Sequence, residues 1–322
     1  MDNRLTLPIV FVGGVELARH CLQAMCEARS IPALAIGYPE TLSDRSGYAS
    51  LCPTCDAWNI PLIETEDINA DEVRAEIRAS GAQAILVVAW SQLLKADTLH
   101  AVPHGAFGLH PTLLPEGRGR APIPWSLIKG LRQTGVTLFR LNEGVDNGDV
   151  IDQRAFEISR HDDARTVYAK AEAASLALLL DNIEAISTGR VHPRPQEGES
   201  STWPKRTPGD GEITWSNPGR SVYDWIRGLT RPYPGAFTRL RDGRLVHVWS
   251  ADLVEAGGKA IGEPGEVLGL SLRAGGAQEG GVVVAAGTDL LILREVEPEG
   301  DGSIDALAAA DNGLFSVGDR LG

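Results

Sequence analysis

The N-terminal half of the chain alternates short apolar runs with segments in which apolar residues recur at helical spacing. The apolar runs at residues 8–12, 33–36 and 84–89 have the length of buried strands, and the last is apolar on both faces. Helical spacing is found at residues 15–25, 50–58 and 69–80. This alternation is typical of a doubly wound, mostly parallel sheet, so we predict an α/β fold for this half.

The C-terminal part follows a different pattern. A long helix rich in alanine and leucine is predicted over residues 164–186, with Asp162 as its N-terminal cap. Residues 191–202 are polar, contain prolines and show no periodicity, which is typical of a linker. Short strands between glycine turns then predict a small antiparallel, OB-like β-barrel, at residues 236–240, 245–249, 265–268, 281–285 and 290–294, with a flexible hairpin tip at 275–281.

Length and charge narrow the class of protein. A chain of 322 residues exceeds the usual size of one domain, and we predict an N-terminal catalytic domain over residues 1–190, a linker over 191–202 and a barrel domain over 203–322. The 30 basic and 43 acidic residues give a formal net charge of -13, which disfavours a broad nucleic-acid surface.

Arginines nevertheless cluster in two places, Arg118 with Arg120 and Arg227 with Arg231. Guanidinium groups at these positions can bind a phosphate or a carboxylate, or they can lie solvated on the surface.

The sequence also predicts where the protein is located in the cell and the redox state of its cysteines. No apolar stretch approaches the roughly 20 residues of a membrane span, and the N-terminus has no signal-peptide pattern, so we expect a cytoplasmic protein without a membrane partner. The pair Cys52 and Cys55 has the spacing of a redox dithiol or half a zinc site, but Cys21 and Cys26 are a poor second half. Reduced thiols and no metal are therefore predicted.

The densest chemistry lies between residues 108 and 149. His110 stands in the segment Gly108-Leu-His-Pro-Thr-Leu-Leu-Pro115, and Asp146 stands in Val145-Asp-Asn-Gly-Asp149. A histidine and a carboxylate on either side of a proline-rich loop suit proton transfer near a reacting carbonyl, because histidine changes charge near neutral pH and the acid can orient it. This arrangement predicts an enzyme, with Asp149 as a turn residue.

These segments resemble the signature of the folate-dependent formyltransferases. The similarity is carried by His110-Pro-Thr-Leu-Leu-Pro115, Arg118-Gly-Arg-Ala-Pro122, Thr134-Gly-Val-Thr137 and Asp146-Asn-Gly-Asp-Val-Ile151. That family includes methionyl-tRNA formyltransferase and enzymes that formylate nucleotide-linked amino sugars. Residues 206–215 and 227–237 resemble the formyltransferase domain of the aminoarabinose lipid-modification enzyme more than the tRNA enzyme.

The resemblance implies N10-formyltetrahydrofolate as formyl donor and a primary amine as acceptor, without a metal. It places His110 beside the formyl oxygen or the amine, with Asp146 holding the imidazole or a water that receives the proton. It also implies a pterin slot in which Trp90 either lines the slot or closes the core. The implied folate-binding residues are Trp90, Ser91, Gln92, Leu93, Leu94, Asn142, Glu143, Gly144 and Asp146.

One position departs from the family pattern. Two residues before the histidine the family has an asparagine whose amide can donate to the developing oxyanion, and here that residue is Gly108. Loss of such a donor typically lowers the rate on the order of a hundredfold to a thousandfold. Three explanations are open. A side-chain donor from Asn142, Thr112 or Ser91 replaces the lost amide, a backbone N–H freed by the glycine replaces it, or the chain no longer transfers formyl groups.

The acceptor is expected to be a nucleotide-linked amino sugar whose phosphates bind arginines. The substrate-binding residues predicted on this basis are Arg118, Arg120, Thr112 and Trp125. Trp125 either shapes the acceptor pocket or packs the loop. The alternatives are an amino-acid or hydroxyornithine-type amine, methionyl-tRNA, a formyltetrahydrofolate hydrolase, and a non-catalytic folate or sugar-nucleotide binder. A homodimer is expected by analogy with sugar-modifying relatives.

Overall fold

The computed structural model describes residues 5–44, 47–257, 261–271 and 280–322. The chain forms two compact units, each assembled from three segments. The first unit contains Met1–Pro122, Gln133–Glu157 and Ala169–Pro204, and the second contains Ile123–Arg132, Ile158–Tyr168 and Lys205–Gly322. Most of the predicted hairpin tip at 275–281 lies outside the described residues.

The strands and helices alternate along the first half of the chain, and strands dominate the last third. The strands are β1 (Leu5–Val12), β2 (Ser30–Gly37), β3 (Leu62–Glu64), β4 (Ala84–Val88), β5 (Ala106–His110), β6 (Arg118–Gly119), β7 (Gln133–Arg140), β8 (Val150–Glu157), β9 (Thr202–Trp203), β10 (Ala236–Arg239), β11 (Leu245–Val254), β12 (Val267–Ser271), β13 (Gly281–Ala286), β14 (Asp289–Pro298) and β15 (Ile304–Asp305). The helices are α1 (Glu16–Glu27), α2 (Cys52–Trp58), α3 (Asp71–Ala79), α4 (Ala96–Leu99), α5 (Pro122–Ile128), α6 (Ala164–Thr188), α7 (Gly219–Leu229) and α8 (Ala306–Asp311). None of the helices in the described part of the chain is long and apolar enough to cross a membrane.

The first unit is built on a seven-stranded sheet in the order β3-β2-β1-β4-β5-β7-β8. The pairs from β3 to β5 are parallel, and β7 and β8 add antiparallel strands at one edge. Alternate residues of β1 enter different cores, Ile9 and Phe11 on one face and Val10 and Val12 on the other. Both faces are therefore covered, as parallel sheets require, and the predicted α/β class is confirmed.

The second unit contains an antiparallel sheet in the order β10-β11-β14-β13-β12, with β15 paired to β14. Its core gathers the apolar faces of these strands and of α7, whose Val222, Ile226 and Leu229 are buried. The predicted antiparallel C-terminal domain is confirmed.

A buried ion pair fixes α7 inside the second unit. Arg227 Nε lies 2.7 Å from Asp224 Oδ1, and its Nη1 donates to the carbonyl oxygens of Ser159 and Asp162 at 3.1 and 2.7 Å. Burial raises the pKa of Asp224, and the arginine beside it acts in the opposite direction. The guanidinium of Arg227 is thus engaged within the fold.

Two other local expectations change in the structure. The N-terminal cap of α6 is Asp163, which accepts from the Thr166 N–H at 2.8 Å, whereas Asp162 accepts from the Ser159 N–H at 2.6 Å.

Arg231 lies over the Trp249 ring at 4.0 Å and pairs with two glutamates of β14, so its charge is balanced within the second unit.

The polar segment at residues 191–202 lies on the first unit. Arg194 exchanges backbone hydrogen bonds with Val150 at 2.8 and 2.9 Å, and β9 pairs in parallel with β6. Trp203, at the end of β9, is 3 % exposed. This segment therefore meets the loop that follows His110, while the domain boundaries drawn from the sequence stay a prediction.

Candidate active site

His110 ends β5 and is almost fully buried. Its Nε2 lies 2.8 Å from the carbonyl oxygen of Gly117. Because a carbonyl oxygen only accepts, we assign the ring proton of the neutral histidine to Nε2. Nδ1 is then the basic atom, and it lies 3.6 Å from Asp146 Oδ2. The site therefore contains one proton-accepting nitrogen facing one carboxylate.

Asp146 lies in the loop between β7 and β8 and has a left-handed backbone, with φ of +48°. Its Oδ2 accepts a hydrogen bond from the Gly119 N–H at 2.8 Å. Gly119 has φ of +101°, and a Cβ on it would lie 2.5 Å from the Trp203 carbonyl oxygen, so only glycine fits here. The Arg118-Gly-Arg motif thus supplies the N–H that orients the acid.

The Thr134-Gly-Val-Thr137 motif shapes the loop after His110. Thr137 Oγ1 donates to the Thr112 carbonyl oxygen at 2.7 Å and accepts from the Leu114 N–H at 3.0 Å. Gln153 donates to the same hydroxyl and to the Leu114 carbonyl oxygen, both at 2.9 Å. These bonds fix the course of the chain between the histidine and Gly117, which is why the motif needs a threonine.

Gly108 lies under the side chain of Leu141. A Cβ built on Gly108 would lie 2.9 Å from Leu141 Cδ2 and 3.5 Å from its Cγ. The position that carries asparagine in the family is therefore covered here by the end of a flexible side chain.

The three side chains predicted to replace the missing amide differ in their partners. Thr112 Oγ1 donates to the Glu116 carbonyl oxygen at 2.7 Å, and Ser91 Oγ lies 3.0 Å from the Tyr38 hydroxyl. Asn142 uses only its Oδ1, which accepts from the Gly144 N–H at 2.9 Å. Within the described residues its Nδ2 donates to no acceptor, so the amide is free to bind a ligand oxygen.

A cavity of about 620 Å³ opens beside Leu141. It contains three of the predicted folate-binding residues, Asn142, Glu143 and Gly144. Its lining is Leu99, His100, Val102, Pro103, Gly105, Ala106, Arg140, Leu141, Asn142, Glu143, Gly144, Gly148 and Asp149. Its size and its mixture of apolar side chains and backbone groups match small-ligand pockets.

The segment after β4 does not line that cavity. Trp90 stacks on Tyr38 with ring centroids 3.7 Å apart, and its buried Nε1 has no hydrogen-bond partner among the described residues. Gln92 binds the backbone of Glu66 and Ile68, at 2.6 and 3.1 Å. Leu94 is buried, whereas Leu93 is 55 % exposed. Trp90 and Leu94 are thus engaged in packing and Gln92 in hydrogen bonds to the backbone, whereas Leu93 faces solvent.

The predicted acceptor-binding residues have different partners in the structure. Arg118 donates through Nε and Nη2 to Gln196 Oε1, at 3.1 and 2.7 Å. Arg120 is exposed, and its Nη2 lies 3.4 Å from the Ser91 carbonyl oxygen. Trp125 belongs to the second unit, where the Arg206 guanidinium lies 5.1 Å from its ring. The role of each in binding an acceptor stays a prediction.

Sequence reasoning missed Gly117, Gly119, Gln196 and Ser201. Ser201 Oγ accepts from the Gly117 N–H at 2.9 Å, and so holds the residue whose carbonyl binds His110. Gln196 and Ser201 lie in a polar segment without periodicity, which carries no signal for a contact with a distant loop.

The four cysteines are thiols with raised pKa values. All four are free, and burial raises the pKa of Cys21 and of Cys55 to about 12 and that of Cys26 to about 11. Cys52 donates its Sγ hydrogen to Asp56 Oδ2 at 3.4 Å, which raises the pKa of this exposed thiol. Within the residues described, no three His, Cys, Asp or Glu side chains are grouped to hold a metal ion.

Comparison with known proteins gives a consistent result. The family profile described as "Formyl transferase" matches residues 19–183, and "Formyl transferase, C-terminal domain" matches residues 205–311. A methionyl-tRNA formyltransferase from Anaeromyxobacter sp. (strain K) is 35% identical over 324 residues, covering 98% of this chain and 99% of the relative.

Solved structures with the same fold are more distant in sequence. HypX from Aquifex aeolicus in complex with tetrahydrofolic acid has a TM-score of 0.64 and 18% identity, covering 97% of this chain and 48% of that one. The N-formyltransferase from Helicobacter canadensis in complex with folinic acid and dTDP-3-aminofucose has a TM-score of 0.64 and 16% identity, covering 89% and 99%.

The two family profiles match both the α/β domain and the antiparallel domain, and together they define an enzyme of formyl-group transfer. The chain belongs to the formyl transferase family. It is a folate-dependent formyltransferase, and its formyl donor is N10-formyltetrahydrofolate.

Proposed function

We propose that the chain formylates the primary amine of a nucleotide-linked amino sugar, with His110 as the general base. The observation that carries the catalytic part is the hydrogen bond from His110 Nε2 to the Gly117 carbonyl, which leaves Nδ1 as the base facing Asp146. The bound donor supplies the formyl carbon that the amine attacks.

His110 and Asp146 handle the proton in this proposal. As the attacking nitrogen becomes positive, His110 Nδ1 takes up its proton. Asp146 Oδ2, 3.6 Å away, stabilises the imidazolium that forms. The same Nδ1 then returns the proton to the nitrogen of the donor as its bond to the formyl carbon breaks. Base and acid are one atom, so no second proton carrier is needed.

We further propose that Asn142 replaces the missing asparagine. Negative charge develops on the formyl oxygen, and a preorganised donor directed at that oxygen lowers the barrier. Asn142 follows Leu141, which covers Gly108, and its Nδ2 is uncommitted among the described residues, whereas Thr112 already donates within the loop.

The cavity beside Leu141 is the proposed folate slot. Leu99, Val102 and Leu141 supply apolar contact for a flat heterocycle, and the backbone of residues 142–144 supplies polar groups at its edge. The residues present fit the donor in size and in chemistry. The predicted folate-binding residues around Trp90 lie outside this cavity, so their contact with the donor stays a prediction.

A small phosphorylated acceptor is supported by the charge distribution. Many arginines lie beside carboxylates, which lowers the local positive potential that a nucleic-acid backbone would follow. The arginines paired in this way are Arg19, Arg74, Arg154, Arg165, Arg190, Arg227, Arg231, Arg239, Arg244, Arg294 and Arg320. Exposed Arg120, next to the glycine that binds Asp146, is the proposed phosphate ligand.

Methionyl-tRNA is the second candidate acceptor, because the full-length relatives at 30–35% identity are methionyl-tRNA formyltransferases. A panel assay separates the two. Purified protein is incubated with N10-formyltetrahydrofolate and, in turn, amino-sugar nucleotides, amino acids, methionyl-tRNA or no amine, and released tetrahydrofolate is measured.

Release only with an amino-sugar nucleotide supports the proposal. Release only with methionyl-tRNA refutes the acceptor and keeps the catalytic assignment. Release without any amine indicates a hydrolase, and no release under any condition indicates a binding protein.

Two variants test the acid/base pair directly. His110→Ala and Asp146→Asn should each lower kcat by at least about a thousandfold, since a single triad-type group contributes on that order, while binding of the donor persists. Asp181→Asn and His161→Ala, both on the surface and outside the cavity, are matched controls that should keep full activity. Full activity in either of the first two variants would refute the assignment.

A further inference from the structure

Gln196 joins two parts of the proposed active site that lie far apart in the sequence. Its Nε2 donates to the backbone carbonyl oxygens of Asp146 and Gly148, both at 2.8 Å. Its Oε1 accepts from Nε and Nη2 of Arg118. One half-buried amide thus uses both of its ends inside the site.

The two carbonyls held by Gln196 flank the turn that presents Asp146. That residue has φ of +48°, a conformation that costs energy for a non-glycine residue and persists only where neighbouring contacts hold it. Among the residues that the structure describes, the Asp146 side chain accepts from one backbone donor, the Gly119 N–H. A turn released from Gln196 is therefore free to relax, and the carboxylate moves with it.

The Oε1 of Gln196, which binds Arg118, completes the connection between the two parts of the site. Arg118 precedes Gly119 in β6, so a single glutamine ties the strand that orients the carboxylate to the turn that carries it. The guanidinium also polarises the amide, because a charged donor on Oε1 strengthens the donation from Nε2.

We propose that Gln196 is a positioning residue for formyl transfer, which sets the distance between Asp146 and His110 Nδ1 by holding the 146–148 turn against Arg118. This inference rests on the proposed function of the His110 and Asp146 pair. Gln196 itself touches no reacting atom, so its effect appears in turnover and in the order of the turn, and binding of the donor is retained.

The kinetic test uses variants that separate the two ends of the amide. Gln196→Met removes both ends, Gln196→Glu keeps the acceptor for Arg118 and loses the donor to the carbonyls, and Arg118→Met leaves only the donor. We expect kcat to fall on the order of a hundredfold in both Gln196 variants, as for an ångström-scale displacement of a catalytic group. The expected fall in Arg118→Met is smaller. KM for the donor should change less than kcat in all three variants, since neither Gln196 nor Arg118 lines the cavity and Gln196 reaches it only through the backbone of Gly148.

A second measurement is independent of the acceptor and of activity. The Gly119 N–H donates to the Asp146 carboxylate, so its exchange with deuterium, followed by NMR, reports whether the acid is held in place. Exchange should accelerate at least about tenfold in both Gln196 variants. Gln23→Met is the matched control, because Gln23 binds Glu27 on α1 and has no link to the turn.

Faster Gly119 exchange together with the loss of kcat supports the proposal. Full kcat in Gln196→Glu, or unchanged Gly119 exchange in both Gln196 variants, would overturn it. If the wild-type chain transfers no formyl group to any amine, the function proposed above fails, while the exchange experiment still decides whether Gln196 positions Asp146.

Discussion

The proposed replacement of the missing asparagine by Asn142 makes the sharpest prediction. Asn142→Asp keeps the Oδ1 that accepts from the Gly144 N–H at 2.9 Å, so the turn is preserved. It removes the amide donor and places a carboxylate where negative charge develops. The variant thus changes the proposed oxyanion contact and leaves the loop geometry intact.

The size of the effect follows from the role of one oxyanion donor. Its loss lowers kcat on the order of a hundredfold to a thousandfold, or about 2.7–4 kcal/mol in the barrier. Gly108→Asn should restore a donor in the same site, because the atoms nearest to the new Cβ belong to Leu141, whose Cδ2 lies 2.9 Å away and can move aside by side-chain rotation. The double variant is therefore expected to recover most of the lost turnover, while Gly108→Asn alone changes kcat by less than about tenfold.

The assay is steady-state release of tetrahydrofolate with the amine that the panel identifies. Asn147→Asp is the matched control, since it adds the same charge to the same loop without touching the proposed donor. Wild-type kcat in Asn142→Asp would refute the replacement of the amide. A fall of kcat in Asn142→Asp and Asn147→Asp to the same extent would show that loop charge alone is responsible.

Three further predictions concern other parts of the molecule. Asp224→Ala leaves a buried arginine unpaired and should lower the free energy of unfolding by about 3–5 kcal/mol, measured by urea denaturation. Asp56→Asn removes the carboxylate that raises the pKa of Cys52, so more thiolate is present at mildly alkaline pH and alkylation of Cys52 should accelerate; an unchanged rate would contradict this. Gly135→Ala places a Cβ 2.5 Å from a β8 carbonyl oxygen and should destabilise the protein by about 1–3 kcal/mol, whereas Gly269→Ala, with open space around it, should not.

Local pattern predicted much of the fold because strands and helices bury one face at a fixed period. The run from Ala84 to Val88 is buried at every position, as its continuous apolar content indicated. The cap of α6 shows the limit of such reasoning, since Asp162 and Asp163 are adjacent acids of equal capping propensity. The hydrogen bond of Asp162 to Ser159 decided between them.

The sequence by itself determined the class of fold and the family, because these depend on local periodicity and on continuous motifs. The family resemblance also predicted that His110 meets Asp146, and the two side chains lie 3.6 Å apart in the structure. Tertiary structure decided which nitrogen of His110 is basic, that Arg118 binds Gln196, and that the predicted linker lies against the catalytic loop. The bonds from Gln196 to Arg118 and Asp146 span 78 and 50 residues. Contacts of that range leave no periodic trace in the chain, and only the folded backbone brings their partners together.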